Sequence, residues 1–197
     1  MPYDSRIHHR RSIRLSGWDY SADGAYFVTV CTNRRVHMFG EIVDGQMGLN
    51  AVGSIVAEAS QWLATQYPFV ALDEWCVMPN HLHGILVLTG RGGSRTAPTP
   101  HSPDDDTADA ATVNGHATTT PRKPVGRLIG AFKTVSTKHI NQLRDMPAAV
   151  VWQRNFWERV VRDDAEMDRF RAYIGNNAIN WASDGLNDAV GAVREPP

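Results

Sequence analysis

Residues 70–89 hold two apolar, β-branched runs interrupted only by Met78-Pro79-Asn80. Residues 70–77 read as one strand, 78–80 as a turn and 81–89 as the returning strand. The fold has to be built around this pair. The second strand opens with His81-Leu82-His83. Side chains alternate faces along a strand, so His81 and His83 point one way while Leu82 points into the core. Two neutral imidazoles side by side on a rigid element make half of a divalent-metal site. The other half has to come from elsewhere in the chain.

The remaining elements follow from periodicity. Residues 26–32, Tyr-Phe-Val-Thr-Val-Cys-Thr, read as a central strand. Asp44-Gly45 between Phe39–Val43 and Gln46–Leu49 signals a hairpin. Val52, Ile55, Val56, Ala59, Trp62 and Leu63 mark a helix over 51–66, with Pro68 just past its end. Val125, Leu128, Ile129, Phe132, Val135, His139, Ile140 and Leu143 form the apolar face of a helix over 125–144. Arg127, Lys138 and Asn141 fall on its polar face, and His139 reads as a partly buried, satisfied histidine. Residues 156–162 read as a strand. Asp163 or Asp164 caps a last helix running to about Trp181, with the stripe Met167, Phe170, Ile174 and Trp181. Without the hairpin and the last helix, the order is the split βαββαβ pattern of a ferredoxin-like sheet. The expected class is therefore α+β: an antiparallel sheet with helices on one face, a small hairpin and a C-terminal helix.

A length of 197 residues and 42% apolar content suit one globular domain. The expected division is a basic arm at 1–20, a domain at 21–182 and a tail at 183–197. Residues 90–124 are rich in Gly, Ser, Thr, Pro, Asp and Ala and read as a flexible insertion in that domain. Cys31 and Cys76 lack metal or redox spacing, and no apolar stretch approaches membrane-spanning length. A cytoplasmic protein without membrane contact is expected. Net charge is −1, so composition carries no global signal for nucleic acid. Local basic sets do occur: Arg6, Arg10, Arg11 and Arg14; Arg122 to Arg144; and Arg154, Arg159, Arg162, Arg169 and Arg171. They permit a phosphate-binding face, although most charge clusters are solvated surface.

Partners for the histidines are found in Tyr173-Ile174-Gly175-Asn176-Asn177. Tyr173 and Asn177 are four apart, one turn from each other on one helical face. A tyrosine hydroxyl, with an ordinary pKa near 10, becomes a useful nucleophile where a divalent cation stabilises the charge developing on a scissile phosphate. Each residue has an ordinary reading too. With eight histidines in the chain, an exposed His-x-His pair arises by chance, a helical Tyr is usually a core aromatic, and Asn177 serves to end a helix.

The run Met78-Pro79-Asn80-His81-Leu82-His83-Gly84, then Trp152-Gln153-Arg154-Asn155-Phe156-Trp157-Glu158-Arg159-Val160-Val161-Arg162, then Tyr173-Ile174-x-Asn176-Asn177, resembles the REP-associated tyrosine transposases, single-tyrosine members of the HUH transposases. Arg11-Ser12-Ile13-Arg14-Leu15, Tyr26-Phe27-Val28-Thr29, Phe39-Gly40-Glu41-Ile42 and Phe132-Lys133 add to the likeness, which spans roughly residues 10–182 outside the insertion. It implies His81 and His83 as metal ligands, Tyr173 as nucleophile and Asn177 as third ligand. It also implies Mg²⁺ or Mn²⁺ as cofactor and single-stranded DNA with hairpin or palindromic repeats as partner. The protein is expected as a monomer or homodimer. Arg11, Arg14, Lys133, Arg154, Arg159 and Arg162 are the candidate DNA contacts.

Two positions depart from the family pattern: Glu158-Arg159 stands where an acid-histidine pair is common, and Asn177-Ala178 where Asn-Pro is usual. Arg159 is a candidate phosphate ligand in place of that histidine. Three functions compete. The first is a metal-dependent nicking and strand-transfer enzyme acting through a 5′-phosphotyrosine. The second is a domesticated repeat-binding protein without turnover. The third, a hydrolytic metalloenzyme, lacks a carboxylate in the sequence beside the pair. A relaxase would share the histidines, but its N-terminal nucleophile would have to be Tyr3.

Overall fold

The computed structural model describes residues 14–15, 17–90 and 122–187. Tyr3, Arg11, most of the 90–124 insertion and the end of the tail lie outside the described residues. The order is β1 (Gly24–Cys31), β2 (Gly40–Val43), β3 (Gln46–Leu49), α1 (Ala51–Gln66), β4 (Val70–Met78), β5 (His81–Leu88), α2 (Val125–Leu143), β6 (Trp157–Val161) and α3 (Asp164–Gly175). Short 3₁₀ turns lie at Asn33–Arg35 and Trp181–Ser183.

Four strands form an antiparallel sheet in the order β4-β5-β1-β6, and β2-β3 is a separate hairpin. With β1, α1, β4, β5, α2 and β6 taken in sequence, this is the ferredoxin-like arrangement. The hairpin turns at Asp44 and Gly45, both left-handed at φ 52° and 72°, as a tight two-residue turn requires.

Alternation along the strands gives the sheet two different faces. Tyr26, Val28, Val30, Leu82, Leu86 and Val160 join Val56, Leu63, Leu128, Ile129, Phe132 and Ile140 of α1 and α2 in the main core. Phe27 and Ile85 point the other way, to Phe170 and Ile174 of α3. Phe27 stacks on Phe170 with ring centroids 4.3 Å apart. The C-terminal helix therefore covers the opposite face from α1 and α2.

Side chains cap two helix starts, the second at the Asp163 that the sequence offered. Asn50 accepts from the backbone N–H of Val52 and Gly53 at the start of α1, and Asp163 accepts from Glu166 N–H at the start of α3. Three expectations need correction. The last helix ends at Gly175 rather than near Trp181, because Gly175-Asn176-Asn177 breaks the helical ladder and the chain continues in turns. His139 is exposed, not partly buried. Asn141 and Leu143 exchange their expected places: Asn141 is buried and donates to Ala149 O at 2.9 Å, while Leu143 is 53% exposed. At its end α2 thus turns a polar side chain inward to satisfy the loop that follows.

Candidate metal and nucleophile site

β5 begins at the sheet's α3 face with His81 and His83, both fully buried. They stand on neighbouring rungs, opposite Cys31 and Thr29 of β1 and Met78 and Cys76 of β4. Their shared direction is the one the alternation required, and the exposed-pair reading is overturned. The imidazole rings are 4.5 Å apart between centroids.

The turn before β5 orients His81. Asn80 Nδ2 donates to Leu186 O at 2.8 Å and to Arg35 O at 3.2 Å. Those two bonds fix which end of the amide is nitrogen, so Oδ1 faces His81 Nδ1 at 2.8 Å. His81 Nδ1 must then carry the proton, and Nε2 presents its lone pair. His81 Nε2 is buried without a partner. His83 Nδ1 shares a 2.8 Å hydrogen bond with Thr29 Oγ1. With that nitrogen donating, Nε2 accepts from the Tyr173 hydroxyl at 3.3 Å.

Burial holds both rings neutral. It pushes His81 well below the usual histidine range, helped by the closeness of the second imidazole, His83, and the positive charge of Arg35, and takes His83 down to about 3. Neutral imidazole is the form that binds a metal.

Tyr173 comes from the last turns of α3, its ring edge-on to Phe27 and His83. Burial, with Asp184 adding its negative charge, pushes the phenol up to about 12. Asn177 lies just beyond the helix, not on its face as the spacing suggested. A tight turn, Asn177 N–H to Ile174 O at 3.2 Å, still tucks it inward. It is 3% exposed, and its Oδ1 is buried without a partner.

Sequence reasoning missed Asp184. Its carboxylate lies with His81 and His83 in a group whose ligand atoms are all within 4.8 Å of one another. One oxygen accepts from Leu186 N–H at 2.8 Å, and the other, Oδ2, is buried and unpartnered. The carboxylate absent from the sequence around the histidines is thus supplied from 101 positions beyond His83. Only its position after Tyr173 and Asn177 hinted at it. Trp181 closes the site, its ring 5.9 Å from His81 and 5.4 Å from His37.

Three buried polar atoms without partners, His81 Nε2, Asn177 Oδ1 and Asp184 Oδ2, are unfavourable in a closed protein. All three are lone-pair donors, and the set is two imidazoles with hard oxygens. A divalent cation fits that donor set.

The candidate DNA contacts are dispersed in role. Arg154 and Arg162 are exposed. Arg14 is ion-paired with the buried Glu158, on the face opposite the histidines. Arg159 pairs with Glu166 at 2.7 Å and lies over the Phe170 ring. Lys133 donates to Gln153 O at 2.8 Å and Asn155 O at 3.0 Å, holding a loop in place.

No family model matches the chain. An uncharacterised protein of Haemophilus influenzae is 34% identical over 189 residues, covering 93% of this chain and 96% of its own. Two solved structures are similar. One is a REP-associated tyrosine transposase bound to a REP hairpin, with a TM-score of 0.48 and 17% identity, covering 87% of this chain and 74% of the other. The second is a candidate transposase from Deinococcus radiodurans R1, with a TM-score of 0.45 and 14% identity, covering 84% and 97%. Among the described residues, no helix is long and apolar enough to cross a membrane.

Proposed function

We propose that this chain, which belongs to one family with the Haemophilus influenzae relative, is a metal-dependent tyrosine transposase that nicks and joins single-stranded DNA at hairpin-forming repeats. The observation that carries the reading is the Tyr173 hydroxyl at 3.3 Å from His83 Nε2, beside the cluster of His81, His83 and Asp184, with the Asn177 side chain against His81 and Tyr173. A hydrolytic metal site needs no such tyrosine. The sequence motifs that resemble REP-associated tyrosine transposases supply the substrate class.

The residues divide the work. His81 and His83 would hold the cation through Nε2, oriented by Asn80 and Thr29 through Nδ1, once the Tyr173 hydroxyl gives up its hydrogen bond to His83 Nε2. Asn177 adds an amide oxygen. A divalent cation such as Mg²⁺ or Mn²⁺ held there would supply positive charge to polarise the scissile phosphate and favour the ionised phenol. Tyr173 Oη forms a bond to phosphorus as the bond from phosphorus to the 3′ oxygen breaks. The phenolic proton is lost and the departing oxygen takes one up, leaving a 5′-phosphotyrosine and a 3′-hydroxyl. One phosphate ester replaces another, so the bond is kept for rejoining. Phe27, itself stacked on Phe170, meets the Tyr173 ring edge-on and helps to set its position.

The test is incubation of hairpin-bearing single strands with the protein and Mn²⁺, followed by denaturing electrophoresis. A protein–DNA adduct is expected with the natural chain and none with Tyr173→Phe. An adduct that survives Tyr173→Phe removes the nucleophile assignment. Binding without any adduct, across varied repeats, favours a repeat-binding protein instead.

A further inference from the structure

We propose that Asp184 is a fourth protein ligand of the cation, and that it biases the site towards hard ions such as Mg²⁺ and Mn²⁺. This rests on the metal-dependent reading above and adds a residue that neither the motifs nor the spacing supplied.

Three observations meet at this side chain. Its Oδ2 is buried and unpartnered, and its ligand atom lies within 4.8 Å of those of His81 and His83. Its other oxygen is already engaged by Leu186 N–H, so the carboxylate is oriented rather than free to rotate. The stretch that carries it is anchored independently. Arg35 Nη1 donates to Gly185 O at 3.0 Å, and Asn80 Nδ2 donates to Leu186 O at 2.8 Å. The same Asn80 amide orients His81. One side chain thus sets the direction of a histidine ligand and the position of the stretch that brings the carboxylate to it.

The chemistry favours coordination over a packing role. Asp184 Oδ2, buried beside two neutral imidazoles, has no hydrogen bond; the nearby Arg35 guanidinium lowers the cost of its charge without bonding to that oxygen, and a bound cation would supply the missing partner. Two imidazoles and an amide oxygen alone suit softer ions such as Co²⁺, Ni²⁺ or Zn²⁺ as well as Mn²⁺. An anionic oxygen shifts the balance towards Mg²⁺ and Mn²⁺. Four protein donors would still leave a hard cation room for phosphate or water oxygens.

The test is direct metal binding by the full chain, without DNA: titration of Mn²⁺ followed by electron paramagnetic resonance, and of Co²⁺ by its visible absorption. Asp184→Asn keeps the shape and removes the charge. It is expected to weaken Mn²⁺ binding by about tenfold or more, and Co²⁺ binding by clearly less. Asp184→Glu recovers part of the Mn²⁺ affinity. Equal Mn²⁺ affinity in Asp184→Asn and the natural chain overturns the proposal. So does a parallel loss for both ions, which is the signature of a disturbed segment. Absence of Mn²⁺ binding in the natural chain, or binding indifferent to His81→Ala, overturns the metal-dependent reading itself and is told apart by those two measurements.

Discussion

Asn80 makes no proposed contact with the metal, yet its amide decides which nitrogen of His81 carries the proton. Groups of this kind usually matter to metal affinity by about 10–100-fold when removed. Asn80→Ala is therefore expected to weaken Mn²⁺ binding within that range, measured by calorimetric titration. Asn80→Asp should do harm of another kind, since a carboxylate cannot donate to Leu186 O or Arg35 O. At this scale the sequence was informative where residues are close together. The period of two in His81-Leu82-His83 stated their common direction, and Tyr173 to Asn177 stated a short separation. Asp184 obeys no period. It sits in an irregular stretch whose carbonyls, Gly185 O and Leu186 O, accept from the side chains of Arg35 and Asn80, and no pattern in a sequence encodes contacts of that sort.

Elements were legible where one face is apolar and the ends are marked. Asp163 before α3 and the Asp44-Gly45 turn fell where their chemistry required. α3 was read too long because Trp181 continues the stripe of Phe170 and Ile174, although Gly175-Asn176-Asn177 stops the helix. Two interior glycines show why propensity alone misleads. Gly53 in α1 and Gly130 in α2 would each gain about 1 kcal/mol as alanine from helix propensity. A Cβ at Gly130 meets nothing within 4 Å, whereas at Gly53 it would collide with the Phe39 carbonyl and come within 2.9 Å of Leu49 Cδ2. That glycine lets α1 pass close to the chain entering the hairpin. Gly130→Ala is expected to raise the midpoint of denaturation. Gly53→Ala should lower it, with a stability loss of about 1–3 kcal/mol from overpacking. Matched urea titrations check both, and a stabilised Gly53→Ala would refute the close-approach argument.

At the scale of the molecule, one sheet serves two purposes: a broad core under α1 and α2, and a smaller apolar platform under α3 with the site at its end. The loop before β6 joins these parts. Gln153 N–H donates to Cys31 O at the end of β1, and Lys133 reaches across from α2 to the carbonyls of Gln153 and Asn155. Burial takes the Lys133 ammonium down to about 8, against about 10.4 for an unfolded lysine. Between these values the unfolded chain holds a proton there that the folded one has released. Stability from this group therefore rises with pH across that window and is lost as pH falls through 8. Tyr26, Cys31 and Cys76 work against it, because burial raises them and keeps them neutral in the fold. The whole-protein alkaline profile mixes the two signs, so the informative quantity is the difference between the natural chain and Lys133→Met. Neutral Lys133 still donates to both carbonyls, while methionine donates to neither. Between about pH 7 and pH 10, urea midpoints should move in favour of the natural chain relative to the variant. A gap that stays constant would mean that the ammonium keeps its proton, and that the loop is held by a charge the fold accommodates without penalty.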